Sequence, residues 1–119
     1  EDILHANQLI LDNLIKNNPE NLLIGTNSKI STSANVIPPV LIGNNCEIGD
    51  LVTIGPNVSI GDNSTLNDCH VENSIIMDDC KINSKVVIKD SILSNGTEIT
   101  GEFTNKLHLL LGERSKIIF

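Results

Sequence analysis

Isoleucine followed by glycine recurs at Ile42-Gly43, Ile48-Gly49, Ile54-Gly55 and Ile60-Gly61, six residues apart each time. A helix repeats about every 3.6 residues and a strand every 2, so neither alone explains the interval. The hexad reaches further in both directions. Its first positions are Ile24, Ile30, Val36, Ile42, Ile48, Ile54, Ile60 and Leu66, all branched aliphatics. Its fifth positions are Ser28, Ala34, Val40, Cys46, Val52, Val58, Ser64 and His70, small or medium residues apart from the last. Its fourth position is asparagine at Asn27, Asn45, Asn57 and Asn63. Asparagine tolerates left-handed backbone and so suits a corner.

A six-residue unit with one large and one small inward residue describes one face of a parallel β-helix. Three faces close a triangular coil of about 18 residues, and stacked coils pair their backbones at the normal strand spacing of about 4.8 Å. Composition agrees. Hydrophobic residues make up 39% of the chain, yet Phe103 and Phe119 are its only aromatics. A narrow prism filled by Ile, Leu and Val has no room for rings.

After His70 the register changes and the repeat continues. "VENSIIMDDCKINSKVV" (71–87) aligns with "IKDSILSNGTEITGEFT" (88–104), matching Val71 to Ile88, Ser74 to Ser91, Ile75-Ile76 to Ile92-Leu93 and Ile82 to Ile99. One shortened corner per coil accounts for the reduced spacing. The prism is expected from about residue 24 to about 102, and the tail "KLHLLLGERSKIIF" is expected to leave the pattern and cap the open end. Pro38-Pro39 marks a bend or edge. Ahead of the repeats, residues 2 to about 16 read as a helix with Asp2 at its N-cap and Ile3, Ala6, Ile10 and Leu14 on one face, widened by Leu4, Leu11 and Ile15. "KNNPE" stops it. A helix this short is marginal alone, so it is expected to dock on a neighbour. The reading is therefore a linker helix over 1–19 and a hexapeptide-repeat β-helix with capping tail over 20–119.

The net charge of −7 argues against nucleic acid or an anionic membrane as partner. No apolar run approaches the length of a membrane span. Cys46, Cys69 and Cys80 are odd in number and form no C-x-x-C pair, which fits a reduced, cytoplasmic protein. The chain begins at Glu1 without a methionine or signal-like segment, so a piece of a longer protein is expected.

The opening "EDILHANQLILDNL", the hexads, the "VENSIIM" coil and the ending "LHLLLGERSKI" together resemble the C-terminal part of long-form glucose-1-phosphate thymidylyltransferases, a family of sugar-phosphate nucleotidyltransferases. The resemblance implies a left-handed winding. Periodicity does not supply that hand, since the general rule for parallel crossovers gives a right hand. The resemblance also implies an upstream catalytic domain with a glycine-rich nucleotide loop and Mg²⁺ at metal-binding aspartates. The parent activity it implies is transfer of thymidylyl from dTTP to glucose 1-phosphate. None of that machinery is legible here. There is no G-x-G-x-x-G pattern and no dense basic loop for a triphosphate. No residue is assigned as catalytic, cofactor-binding or metal-binding, and no cofactor is expected in this stretch. The expected role is structural, through self-association and contact with the upstream domain, using flat faces on which Leu41, Leu51 and Val87 stay apolar.

The rival reading is a hexapeptide acyltransferase acting on an amino-sugar phosphate with acyl-CoA. It would use His70 as general base, flanked by Asp68 and Glu72, with Lys81, Lys85 and Lys89 for the CoA phosphates. No excursion loop interrupts the coils to wall off a pocket, so His70 reads as a corner or surface residue. Cys69-His70 with Cys80 matches no common zinc spacing. Cys46 reads as core, Asp78-Asp79 as a solvated corner, and the repeating glycines as a demand of coil backbone geometry rather than a phosphate cradle.

Overall fold

The computed structural model describes residues 2–15 and 22–101, with three later strands at Lys106–Leu107, Leu110–Leu111 and Lys116–Ile118. The helix α1 (Asp2–Ile15) is followed by short strands that change sheet at every step. The first sheet stacks β1 (Leu22–Ile24), β4 (Val40–Ile42), β7 (Val58–Ile60), β10 (Ser74–Ile76), β13 (Ile92–Leu93) and β16 (Leu110–Leu111). The second stacks β2 (Lys29–Ile30), β5 (Glu47–Ile48), β8 (Thr65–Asn67), β11 (Lys81–Ser84), β14 (Glu98–Gly101) and β17 (Lys116–Ile118). The third stacks β3 (Asn35–Val36), β6 (Thr53–Ile54), β9 (His70–Glu72), β12 (Val87–Lys89) and β15 (Lys106–Leu107). Every pairing is parallel. The result is the expected three-sided β-solenoid, of about 5 turns.

The hexad's large residues form the interior columns. Ile48, Leu66, Ile82 and Ile99 stack along the second sheet, Ile54, Val71 and Ile88 along the third, and Ile42, Ile60, Ile76 and Leu93 along the first, all buried. Each buried aliphatic contributes roughly 1.5–3 kcal/mol. The small residues fill the corners between them. Where the first sheet turns into the second, Ser28, Cys46, Ser64, Cys80 and Thr97 occupy successive coils, and their side chains donate to main-chain carbonyls. Ser28 Oγ donates to Gly43 O at 2.6 Å, Cys46 Sγ to Gly61 O at 3.0 Å, and Ser64 Oγ to Met77 O at 3.0 Å. Cys46 is core, as expected, and also a hydrogen-bond donor.

All four hexad asparagines adopt the left-handed backbone, with φ of 62° at Asn27, 57° at Asn45, 62° at Asn57 and 60° at Asn63. Leu51 holds the same position in its coil and is forced to φ 61°.

The glycines have a more specific cause than generic coil geometry. An Asx side chain from the next coil occupies the place where a Cβ would stand. A Cβ on Gly43 would lie 2.4 Å from Asp62 Oδ1, and one on Gly61 2.2 Å from Asp78 Oδ1. Those oxygens form a ladder up one edge of the prism. Asn44 Oδ1 accepts from Thr26 N at 2.8 Å, Asp62 Oδ1 from Asn44 N at 2.8 Å, Asp78 Oδ1 from Asp62 N at 2.8 Å, and Asn95 Oδ1 from Asp78 N at 3.0 Å. Gly55 differs. Its φ is 107°, and an added Cβ would strike the Ile37 carbonyl at 1.9 Å.

Three expectations need correction. The register changes before His70 rather than after it. Ile48 still pairs with Leu66, but Thr53 pairs with His70, so one residue is lost at the corner that contains Asp68. A second is lost between Val71 and Ser74, where Asn73 turns with φ 45°. Cys69 therefore takes the small inward slot assigned to His70, which points outward from β9, because a thiol fits that slot and an imidazole would be desolvated there. The tail also does not leave the pattern. β15, β16 and β17 pair in parallel with β12, β13 and β14 and add a further coil, with Leu107, Leu111 and Ile117 in register with Ile88, Leu93 and Ile99.

The third correction concerns α1. It packs on β7 and β10 through Leu4, Asn7 and Leu11. Of the predicted contact face, Leu4 and Leu11 are buried, Ile3, Ala6 and Ile10 are exposed, and the side chains of Leu14 and Ile15 lie outside the described residues. The outward row of the first sheet explains the choice: Leu23, Leu41, Ser59, Ile75 and Ile92 make an apolar strip with one hydroxyl in it. Ser59 Oγ donates to Asn7 Oδ1 at 2.7 Å, which fixes the helix rotation with Asn7 inward. The "KNNPE" stop signal lies outside the described residues.

Candidate functional site

His70 stands on the outer surface of β9, between Thr53 on β6 and Val87 on β12. Its Nε2 is 3.5 Å from Glu72 Oε1, and Lys89 Nζ approaches the other Glu72 oxygen at 3.8 Å. Glu72 thus bridges the two cations' positions across neighbouring coils. Beside them lies a shallow groove of about 320 Å³, lined by Leu51, Thr53, Asp68, Cys69, His70, Lys85, Val86 and Val87. Its floor is apolar because the corner residues Val86 and Cys69 close the prism there.

Of the residues weighed in the sequence, the third sheet and its corner gather His70, Lys85 and Lys89. Lys81 lies on the second sheet, away from the groove. Lys89 is taken up by Glu72, and Asp68 turns a corner with φ 62°. The His70–Glu72 contact, at 3.5 Å and partly open to solvent, is of the weak surface kind. Glu72 was legible as an acidic neighbour of His70. Its sharing with Lys89 was not, because that contact depends on the coil-to-coil offset.

The thiols do not add a nucleophile. Burial pushes the Cys69 thiol up to about 12, and the charge of Asp68 adds to the rise. Burial likewise raises Cys80, against main-chain hydrogen bonds that lower it. The reactive form of cysteine is the thiolate, so both stay inert near neutral pH. Cys69 and Cys80 also sit at different corners of the prism. No group of three His, Cys, Asp or Glu side chains converges on a metal position among the described residues. Asp78 and Asp79 form an exposed corner in which Asp78 serves the Asx ladder.

A second polar cluster joins α1 to the coils. Gln8 Nε2 donates to Asn73 Oδ1 at 2.5 Å, and Asn73 Nδ2 donates to Asp90 Oδ1 at 2.5 Å. Asn73 and Asp90 are stacked left-handed corner residues, with φ of 45° and 54°. The cluster borders a shallow depression of about 310 Å³ that also includes Leu4 and His5. Its hydrogen bonds close on one another, and its evident work is to hold the helix.

The geometry is thus that of a stacked prism with polar seams, on which His70 is a weakly organised surface histidine. The family model described as GMPPB C-terminal domain matches residues 36–117, well over half the chain. The chain belongs to that family. With the family comes the left-handed β-helix, in a domain associated with nucleotidyltransferases. No curated protein matches the chain. The matched stretch begins at β3 and ends inside β17, so it includes the strands formed by the tail. No helix among the described residues is long and apolar enough to cross a membrane.

Proposed function

We propose that this domain is the non-catalytic, C-terminal part of an enzyme that transfers thymidylyl from dTTP to glucose 1-phosphate. In that reaction the sugar phosphate oxygen attacks the α-phosphorus and pyrophosphate leaves. The observation that supports the nucleotidyltransferase part of the reading is the family match over residues 36–117. The resemblance of "EDILHAN" and "LLLGERSK" to the thymidylyltransferases supports the choice of nucleotide. Mg²⁺ and the groups that hold it belong, in this reading, to an upstream catalytic domain. The solenoid serves self-association and braces that domain in a reduced, cytoplasmic enzyme.

Pyrophosphate release by the full-length enzyme, measured over a panel of nucleoside triphosphates and sugar 1-phosphates, tests the specificity. The highest kcat/KM is expected with dTTP and glucose 1-phosphate, and preference for another pair overturns that choice. The 119-residue chain alone is expected to release none. Incubated with acetyl-CoA and glucosamine 1-phosphate, it should also show no acyl transfer. Turnover abolished by His70→Ala would replace this reading with the acyltransferase one.

A further inference from the structure

The second sheet carries an outward column whose charges alternate. From coil to coil the register partners are Lys29, Glu47, Thr65, Lys81, Glu98 and, on β17, Lys116. Beside them runs an uncharged outward column of Asn67, Asn83 and Thr100. Lys29, Glu47, Lys81 and Asn83 are exposed. The other faces are different: the first is apolar and crossed by α1, and the third has Glu72 between His70 and Lys89. Parallel stacking spaces the charges one strand apart, about 4.8 Å, so the column acts as a ruler.

A second copy of this chain reads that ruler backwards. A two-fold axis lying between two such faces and parallel to the strands reverses the order of the coils. With the axis level with Thr65, Glu47 meets Lys81 of the second copy and Lys29 meets its Glu98, each contact occurring twice by symmetry. Asn67 then lies opposite its own copy. Moving the axis to β11 sets Lys81 against itself, and moving it to β5 sets Glu47 against itself. The half-steps beside Thr65 set Glu47 against Glu98 or Lys29 against Lys81, and those nearer the ends keep a single opposite-charge pairing, such as Lys29 with Glu47 or Lys81 with Glu98. Closed two-fold contacts are self-complementary by construction, and the Thr65 register makes the most opposite-charge contacts. Sheets pack face to face at about 10 Å, a gap that lysine and glutamate side chains bridge.

We propose that the second sheet is the self-association face of this domain, closing a two-fold dimer with Thr65 at the axis. This rests on the reading that the domain self-associates and names the surface that does it. Exposed ion pairs are individually weak and screened by salt, so they select orientation more than affinity.

Sedimentation of the 119-residue chain tests it. A species of twice 12.9 kDa is expected at low salt. It should dissociate toward monomer in about 1 M NaCl, where the screening length falls to about 3 Å. Glu47→Lys and Lys81→Glu should each weaken association at least about tenfold, and the double reversal should restore it to within about threefold. Unchanged circular dichroism shows that the variants fold. As an independent check, Thr65→Cys should crosslink to its own copy with a short bismaleimide, since the native cysteines are buried. A dimer indifferent to the reversals, or not restored by the double variant, or without the crosslink, overturns this face and leaves self-association standing. A wild-type chain that is monomeric at every salt concentration overturns both.

Discussion

Gly43 and Asp62 are predicted to be energetically coupled, and the coupling is measurable. Asp62 Oδ1 accepts the Asn44 amide at 2.8 Å and occupies the space a Gly43 Cβ would need, at 2.4 Å. In Gly43→Ala the carboxylate must swing out. The chain then loses that hydrogen bond, about 0.5–1.5 kcal/mol net, and keeps tight contacts at 3.0 Å to the backbone of Asp62 and Gly61. A total cost of about 2 kcal/mol follows, adding a modest overpacking term. Asp62→Ala alone loses only the hydrogen bond, about 1 kcal/mol. In the double variant the hydrogen bond is lost once and the oxygen clash is gone. The double should therefore cost about 2 kcal/mol rather than about 3, a coupling near 1 kcal/mol, well above the scatter of independent sites. Urea unfolding followed by circular dichroism is the assay, because the chain has no Trp or Tyr for fluorescence. Strict additivity would show that the glycine is needed for some reason other than the oxygen beside it.

Leu51→Asn should stabilise the fold. Relief of a left-handed leucine is worth about 1–2 kcal/mol, and the lost burial is small at 66% exposure. A lower melting temperature would contradict this. Ser84 is buried, and its hydroxyl has no hydrogen-bond partner among the described residues, so Ser84→Ala should raise stability by about 1 kcal/mol or leave it unchanged, as urea unfolding will show. Leu11→Ala should cost about 2–5 kcal/mol of local packing and undock α1. Hydrogen exchange would then show α1 amides losing protection while the strands keep theirs. The Cys69 thiol is raised from 9.0 to about 12 when folded, so its contribution is fully present below pH 9 and is lost as pH rises toward 12. The loss amounts to as much as about 4 kcal/mol. Cys69→Ala should reduce the alkaline fall in urea midpoint, leaving the part that Cys80 contributes.

The interior of this protein was legible because one six-residue pattern dictates it. Ile48, Ile54 and Ile60 are inward, and Asn45, Asn57 and Asn63 are at left-handed corners, as the hexad requires. What was not legible depends on contacts between coils. The His70 position was misjudged because a residue lost at the Asp68 corner shifts the frame, and the local sequence "NDCHVE" permits either Cys69 or His70 in the inward slot. The contact face of α1 was legible in Leu4 and Leu11, but Ile3, Ala6 and Ile10 were placed on it too because their hydropathy outweighs that of Asn7, which takes the inward place. Asn7 wins only through Ser59, more than fifty residues away. The glycines hid the Asx ladder in the same way, although Gly43-Asn44 and Gly61-Asp62 carry both halves of it. The candidate site was legible only as His70 and its acidic neighbour. The charges of the second sheet, at Lys29, Glu47, Lys81 and Glu98, were present in the sequence but become a column only once the register is known.

The two short corners, at Asp68 and Asn73, have a consequence for how such a chain can change over time. Both omissions fall between strands, and Leu66, Val71 and Ile76 remain in line with the residues beneath them. Length can therefore drift at the vertices while the stacked interior is inherited intact, and a single-residue insertion is tolerated or ruinous according to whether it lands at a vertex or on an edge.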